Sequence, residues 1–183
     1  MGANVILVGF MGAGKSSVGR LLARRLGRCF VETDDMITAR EGRSIPEIFA
    51  ERGEAYFRAL EEETVRLLAL KSGDVIATGG GLCCREGRPA ALKALGTVVW
   101  LRGDFDALYE RARRAGERPM LAGRERGDVE ALYRAREPYY RQADVTVDTT
   151  GIGTDQVVAR VLLALRDRLD ASPAARGRDG AAG

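Results

Sequence analysis

Apolar residues along this chain follow two spacings. Val5 to Val8, Cys29 to Glu32, Val75 to Thr78, Val98 to Leu101 and Val145 to Val147 are short dense runs that read as strands. Between them, apolar positions recur every three or four residues. Val18, Leu21, Leu22 and Leu26 form one such set, and Phe57, Leu60, Thr64, Leu67 and Leu68 a second. A third is Phe105, Leu108, Tyr109 and Ala112, and a fourth is Val157, Val158, Val161, Leu162, Leu165 and Leu169. This period predicts amphipathic helices. Further helices are expected over Met36 to Arg40, after Ser44, over Pro89 to Leu95, and from Asp128 to about Arg136, stopped near Pro138. Ser44-Ile45-Pro46-Glu47 has the form of a capping box with Pro in the first turn.

Five strands apolar on both faces, alternating with helices, predict an α/β fold: a three-layer sandwich with helices on both sides of a five-stranded parallel sheet. No repeat or second hydrophobic pattern marks another domain, so residues 1–170 are expected to form one unit. Residues 113–127, dense in Arg, Glu and Gly, predict a mobile lid, and residues 171–183 a disordered tail. Ligands of such sheets bind beyond the carboxyl ends of the strands, so the residues just after each strand are the candidates for chemistry.

Composition narrows that chemistry. The 183 residues carry 29 Lys+Arg, 26 Asp+Glu and no His, for a formal net charge of +3. Without His there is no Ser-His-Asp or Cys-His nucleophile and no His-ligated zinc, so acid-base work has to fall to Asp, Glu, Lys or Arg-supported groups. Lys15, Lys71 and Lys93 are the only lysines, and the many Arg are interleaved with acids, which argues against a nucleic-acid partner. Cys29, Cys83 and Cys84 have no metal-ligand spacing and are expected to be reduced, core-filling thiols without a disulfide. No apolar run approaches the roughly 18 residues of a membrane span, and the N-terminus lacks the features of a signal peptide. A cytoplasmic protein with no membrane partner is expected, and the lack of a coiled-coil pattern allows a monomer.

Gly9-Phe10-Met11-Gly12-Ala13-Gly14-Lys15-Ser16 lies between the first strand and the first helix and satisfies Gly-x-x-x-x-Gly-Lys-Ser/Thr. Its glycines let successive N–H groups converge on phosphate oxygens at the positive end of a helix. Lys15 can reach the β and γ phosphates, and the Ser16 hydroxyl can coordinate Mg²⁺. Gly12, Ala13, Gly14, Lys15, Ser16 and Ser17 are therefore candidate contacts to a phosphorylated nucleotide. No lysine stands in the Asn/Thr-Lys-x-Asp pattern that reads guanine.

The other strand ends and loops carry Glu32-Thr33-Asp34, Gly42-Arg43-Ser44-Ile45, Glu47-Ile48-Phe49, Gly53-Glu54 with Phe57-Arg58 and Glu61, Thr78-Gly79-Gly80-Gly81, Arg118-Pro119 with Leu121, and Arg136 before Pro138. Together with the phosphate loop, and in this order over residues 4 to about 169, the series resembles shikimate kinase. The resemblance implies a P-loop NTPase fold related to the nucleoside monophosphate kinases, and transfer of the γ-phosphoryl of ATP to the 3-hydroxyl of shikimate with Mg²⁺. It implies that Arg58 and Arg136 clamp the carboxylate of shikimate. Asp34 would contact the ring hydroxyls as base or orienting acceptor, and Gly79, Gly80 and Gly81 would approach the substrate with their backbone. Arg118 would close from the lid onto the phosphates, Arg111 would stack on adenine, and Glu32 would meet the metal through water. On this reading the catalytic set is Lys15, Asp34 and Arg118.

The residues also admit plainer roles. Arg58 has the spacing of a surface ion pair with Glu61 or Glu62, Asp34 could cap a helix, Arg111 could lie on a solvated helix face, and Cys83 and Cys84 could simply pack. Arg136, by contrast, continues the inward stripe of Val129, Leu132 and Tyr133, where a cation needs an anionic partner. Two features depart from the family pattern: Glu32 stands where a shorter Asp is common, and the loop Asp148 to Thr154 lacks the basic residues and Pro expected near adenine. Gluconate kinase, or a nucleotide-binding module without turnover, are the alternatives to phosphorylation of shikimate.

Overall fold

Strand β1 (Asn4–Val8) runs through the middle of the sheet, and all five of its residues are buried, so both of its faces are covered. This computed structural model describes residues 3–114 and 124–171, with side chains to 166. Arg118 and residues 115–123 of the predicted lid lie outside the described residues, as do the Leu169 side chain and the predicted tail beyond 171. After β1 come α1 (Lys15–Leu26), β2 (Phe30–Glu32), α2 (Thr33–Glu41), α3 (Ile45–Leu68), β3 (Val75–Ala77) and α4 (Arg88–Leu95). The chain continues through β4 (Gly96–Arg102), α5 (Phe105–Arg114), α6 (Arg126–Tyr140), β5 (Val145–Asp148) and α7 (Thr154–Ala171).

The sheet order is β2-β3-β1-β4-β5 and every pairing is parallel. From β1 the chain passes over the position of β3 to the edge strand β2, returns to form β3 beside β1, and then crosses to the other side to add β4 and β5 outward. That placement brings the loops after β1, β2 and β3 to one edge. Ile6, Leu7, Ile76, Val99 and Leu101 carry the core, and α1 packs on α7 over one part of the sheet. A smaller apolar cluster of Ile37, Ile48, Phe57 and Leu60 ties α2 to α3. Asn4, itself buried, is fully employed: its Nδ2 donates to the carbonyls of Lys71 and Leu95, each at 3.0 Å, and its Oδ1 accepts from the Asp74 N–H.

Several sequence expectations need correction. Helix α6 does not stop near Pro138 but continues to Tyr140. Proline removes only the bond to the Arg134 carbonyl, which faces solvent in the final turn, and buried Tyr140 anchors the helix end. The segments expected after Ser44 and from Glu54 are merged, with a kink at Gly53 (φ 76°, ψ 178°). Leu67 is 42% exposed, because Val65 rather than Leu67 completes the inward stripe of α3. Cys29 is exposed in the turn before β2 and fills no core, although all three cysteines are free. β4 is longer than its apolar run, since the pairing with β1 begins at Asn4 with Gly96.

The capping box forms as the sequence predicts. The Ser44 N–H donates to Glu47 Oε2 at 2.8 Å and the Glu47 N–H to Ser44 Oγ at 3.4 Å; the Ser44 hydroxyl, which donates to Glu47 Oε2 at 2.6 Å, and then the Ser44 N–H hold the Glu47 carboxyl below the usual carboxylate range. Ser44→Ala should lower stability by about 1 kcal/mol, read as a shifted urea midpoint at unchanged slope.

Candidate active site

The phosphate loop closes onto the amino end of α1 with Gly12 and Gly14 in left-handed conformations (φ 77° and 82°), which favour glycine. The Lys15 ammonium donates to the carbonyls of Gly9 (2.7 Å) and Phe10 (3.1 Å), folding its side chain back along the loop. One helical residue on, Ser16 Oγ donates to Glu32 Oε1 at 2.5 Å, and Arg20 lies 3.4 Å from the other oxygen of Glu32. The loop thus meets the end of β2 directly.

Lys15, Ser16, Ser17, Glu32, Asp34, Arg58, Glu61, the run Gly79 to Gly81 and Arg136 all line one cavity of about 880 Å³. Ile45, Phe49 and Phe57 give it an apolar wall. The Asp34 carboxyl is pushed up to about 6, chiefly by burial. The Lys15 charge opposes that rise, whereas Glu32, Glu61 and Asp35 add to it. Asp34 stands in the first turn of α2 but caps nothing, since that helix has no side-chain cap.

Loop Gly79–Gly81 comes very close to these side chains. Its Gly79 N–H donates to Thr33 Oγ1 at 2.9 Å, and a Cβ on Gly79 would lie 2.4 Å from Asp34 Oδ1. Gly79→Ala should therefore displace the Asp34 carboxylate and cut activity about a hundredfold or more. A thermal midpoint within a few degrees of the parent would show that the fold survives.

A Cβ on Gly81 would lie 3.1 Å from Arg136 Nη2 and 3.3 Å from Arg58 Nη1, so two guanidinium forks converge over one bare stretch of backbone. They are supported differently. Arg58 is braced from both sides along α3: Nε and Nη2 donate to Glu54 Oε1 (3.1 and 2.8 Å), and Nη1 to buried Glu61 (2.8 Å). Burial pulls the Arg58 guanidinium down, but these two acids outweigh it and hold it above its ordinary value. Arg136 is 9% exposed and pairs with no carboxylate among the described residues; its guanidinium lies over the Phe10 ring, 5.9 Å from the centroid. A buried cation that forms no ion pair among the described residues fits an anion entering from the cavity.

A family model described as shikimate kinase matches residues 11–166. The shikimate kinase of Moorella thermoacetica is 44% identical over 170 residues, covering 93% of this chain and 98% of that one. The chain belongs to the shikimate kinase family. The shikimate kinase of Symbiobacterium thermophilum is 45% identical, over 90% of this chain and 97% of its own. A structure described as shikimate kinase from Acinetobacter baumannii in complex with shikimate superposes with TM-score 0.86 at 35% identity, covering 92% and 96% of the two chains. Deoxyadenosine kinase from M. mycoides, at 13% identity and TM-score 0.59, shares the fold alone. As a shikimate kinase family member, the chain is an ATP-dependent kinase acting on an alcohol acceptor, with the P-loop nucleoside monophosphate kinase-like fold.

Within this shikimate kinase family site, the sequence reading of Arg58 as an ion pair and as a cavity residue both hold, because the Glu61 bond aims the guanidinium inward. Arg111 is half-buried and donates to the Ala107 carbonyl (3.1 Å) and to Thr149 Oγ1 (3.2 Å), which draws it against the loop after β5 and off a fully solvated face. Burial holds its guanidinium below its ordinary value. Sequence reasoning missed Arg124, which lines the cavity from the edge of the predicted lid, and Tyr140, whose hydroxyl donates to the Gly80 carbonyl at 2.5 Å. Arg124 carried no signal beyond its Arg-rich surroundings, and Tyr140 was hidden by Pro138. It also missed the Arg58 contact to Glu54, although the i,i+4 spacing foretells it.

Proposed function

We propose that this chain transfers the γ-phosphoryl group of ATP to the 3-hydroxyl of shikimate, giving shikimate 3-phosphate and ADP. The convergence of Arg58 and Arg136 over Gly81, in the same cavity as Lys15 and Asp34, carries the reading. Shikimate has one carboxylate and three hydroxyls, and planar forks that donate paired hydrogen bonds suit the carboxylate. With that end held, the ring extends toward Asp34, whose carboxylate orients the 3-hydroxyl and accepts its proton as the oxygen attacks phosphorus in line.

The N–H groups of Gly12 to Ser17 hold the phosphates of ATP, and Lys15 exchanges its loop carbonyls for β and γ oxygens. Arg111 borders the adenine side, and Arg118 closes over the transferred group. Gly79, Gly80 and Gly81 let backbone N–H groups approach the acceptor and the γ-phosphate.

For Mg²⁺, the Ser16 hydroxyl would be the oxygen donor at the phosphate loop, and the Glu32 carboxylate, hydrogen-bonded to it at 2.5 Å, would meet the ion through water. That sparse set fits a small cation shared with phosphates and water. Bound there, Mg²⁺ would neutralise charge on the β and γ oxygens. Residues 1–170 act as one kinase unit with a lid near 113–127, as a monomer in the cytoplasm, with no nucleic-acid or membrane partner. No helix among the described residues is long and apolar enough to cross a membrane.

ADP release by the purified chain with ATP and Mg²⁺ tests the reading, with shikimate, gluconate and nucleoside monophosphates compared as acceptors. Shikimate should be strongly preferred. The absence of shikimate-dependent ADP would sink it, and preference for gluconate would replace it.

A further inference from the structure

Two adjacent thiols stand just beyond the Gly79–Gly81 loop and take no part in the proposed transfer. Their sulfurs are 3.7 Å apart, and both are free. Cys83 is 2% exposed, whereas Cys84 is half-buried and lines a second cavity of about 720 Å³ together with Arg58, Gly81, Arg85 and Arg136. The pair is tied to the acceptor loop by short bonds: the Cys84 N–H donates to the Gly81 carbonyl at 3.0 Å, and the Cys84 thiol contacts the Gly80 carbonyl at 3.6 Å. The Gly80 carbonyl is also the acceptor for Tyr140.

The two sulfurs have different environments. The bond from the Cys83 thiol holds Cys84 below the usual thiol range, against burial, with Tyr140, Arg136 and Lys15 acting in the same sense as that bond. Cys83 is pushed up by the same pairing and by burial. A half-buried thiol that reaches a cavity, 3.7 Å from a buried one, is the arrangement of an attacking and a resolving cysteine.

We propose that Cys83 and Cys84 are a reversible oxidation site, at which a hydroperoxide links them into a vicinal disulfide that weakens binding between Arg58, Gly81 and Arg136. In the first step the Cys84 thiol gives up its proton as its sulfur attacks the peroxide, the O–O bond breaks, and the leaving oxygen takes up that proton and departs as an alcohol or water, with Cys84 left as a sulfenic acid. In the second, the Cys83 sulfur attacks Cys84, the S–O bond breaks, and the Cys83 proton departs with the hydroxyl as water. The two thiols lose two electrons in all, and the peroxide gains them. Neighbouring α-carbons are about 3.8 Å apart, closer than the usual disulfide span of about 4.4–6.8 Å. Ring closure therefore has to turn the Cys83–Cys84 peptide and disturb the bonds to Gly80 and Gly81. The same strain makes the product easy for thiols to reduce.

The effect on binding rests on the shikimate reading, whereas the disulfide does not. The full chain carrying Cys29→Ser, which removes the exposed third thiol, is treated with hydrogen peroxide and followed by intact mass, peptide mapping and kinetics. The expected product is lighter by two hydrogens, is linked between residues 83 and 84, and shows a KM for shikimate raised about tenfold or more. Its KM for ATP stays within about twofold, and dithiothreitol reverses every change. The further variant Cys83→Ala should retain oxygen on Cys84 and form no link. Intact thiols, oxygen addition without a link, or a linked protein with unchanged shikimate KM would each overturn the proposal. Failure of the untreated protein to phosphorylate shikimate would instead overturn the functional reading, while the mass still decides whether the pair links.

Discussion

Asp34→Asn should reduce shikimate-dependent kcat by about 10²–10⁴-fold while making the ligand-free protein more stable. The two effects have one origin. In the folded chain the carboxyl is raised from 3.8 to about 6, chiefly by burial, so ionising it within the fold costs free energy. The folded state holds the proton more tightly than the unfolded chain, and stability declines as pH rises from about 4 to about 6. Above that window the penalty is fully present. Asparagine removes it, so the variant should gain about 1–3 kcal/mol at pH 7–8 and gain almost nothing near pH 4. Thermal or urea unfolding at both pH values measures this. Catalysis shows the opposite face of the same group, since accepting a proton requires the ionised form. The profile of kcat/KM for shikimate at subsaturating ATP should rise through an acid limb near pH 6 that the variant lacks. Activity within about tenfold of the parent would remove Asp34 from the chemistry.

Arg136→Ala should raise the KM for shikimate about a hundredfold or more and leave the KM for ATP within about threefold. Its guanidinium is buried, has no carboxylate partner among the described residues, and shares the space over Gly81 with Arg58. The bound anion therefore supplies its main charge compensation, and losing it removes one half of a paired fork. Arg136→Lys should recover only part of the loss, because an ammonium cannot donate two parallel hydrogen bonds to a carboxylate. The ligand-free variant should be no less stable than the parent, since it removes a buried cation that forms no ion pair among the described residues. A gluconate-type acceptor has no use for this clamp at a cyclic carboxylate, so unchanged kinetics in Arg136→Ala would point away from shikimate.

The sheet was largely readable from local pattern because parallel strands covered on both faces must be apolar throughout, as Val5 to Val8 are. The phosphate loop was readable for a related reason: its function lies in backbone geometry, which glycine spacing encodes within eight residues. Edges were less legible. Pro138 pointed to a helix end, yet one missing bond in a solvated last turn is tolerable when buried Tyr140 anchors the end of α6. Cys29 looked like core material, but a turn residue takes its exposure from whatever neighbour covers it, and none does.

Local spacing in the sequence determined the strands, the helices, the capping box and the phosphate loop, since each of these is built from contacts within about one to three turns of chain. Tertiary structure alone decided that Glu32 reaches Ser16, that Asp34 is buried against Gly79, and that Arg58 and Arg136 meet over Gly81. Those groups come from α1, the end of β2, the first turn of α2, α3, the loop after β3 and α6, far apart in sequence. Only the strand order, which sets the carboxyl ends of β1, β2 and β3 along one edge, brings their charges close enough to act on one another.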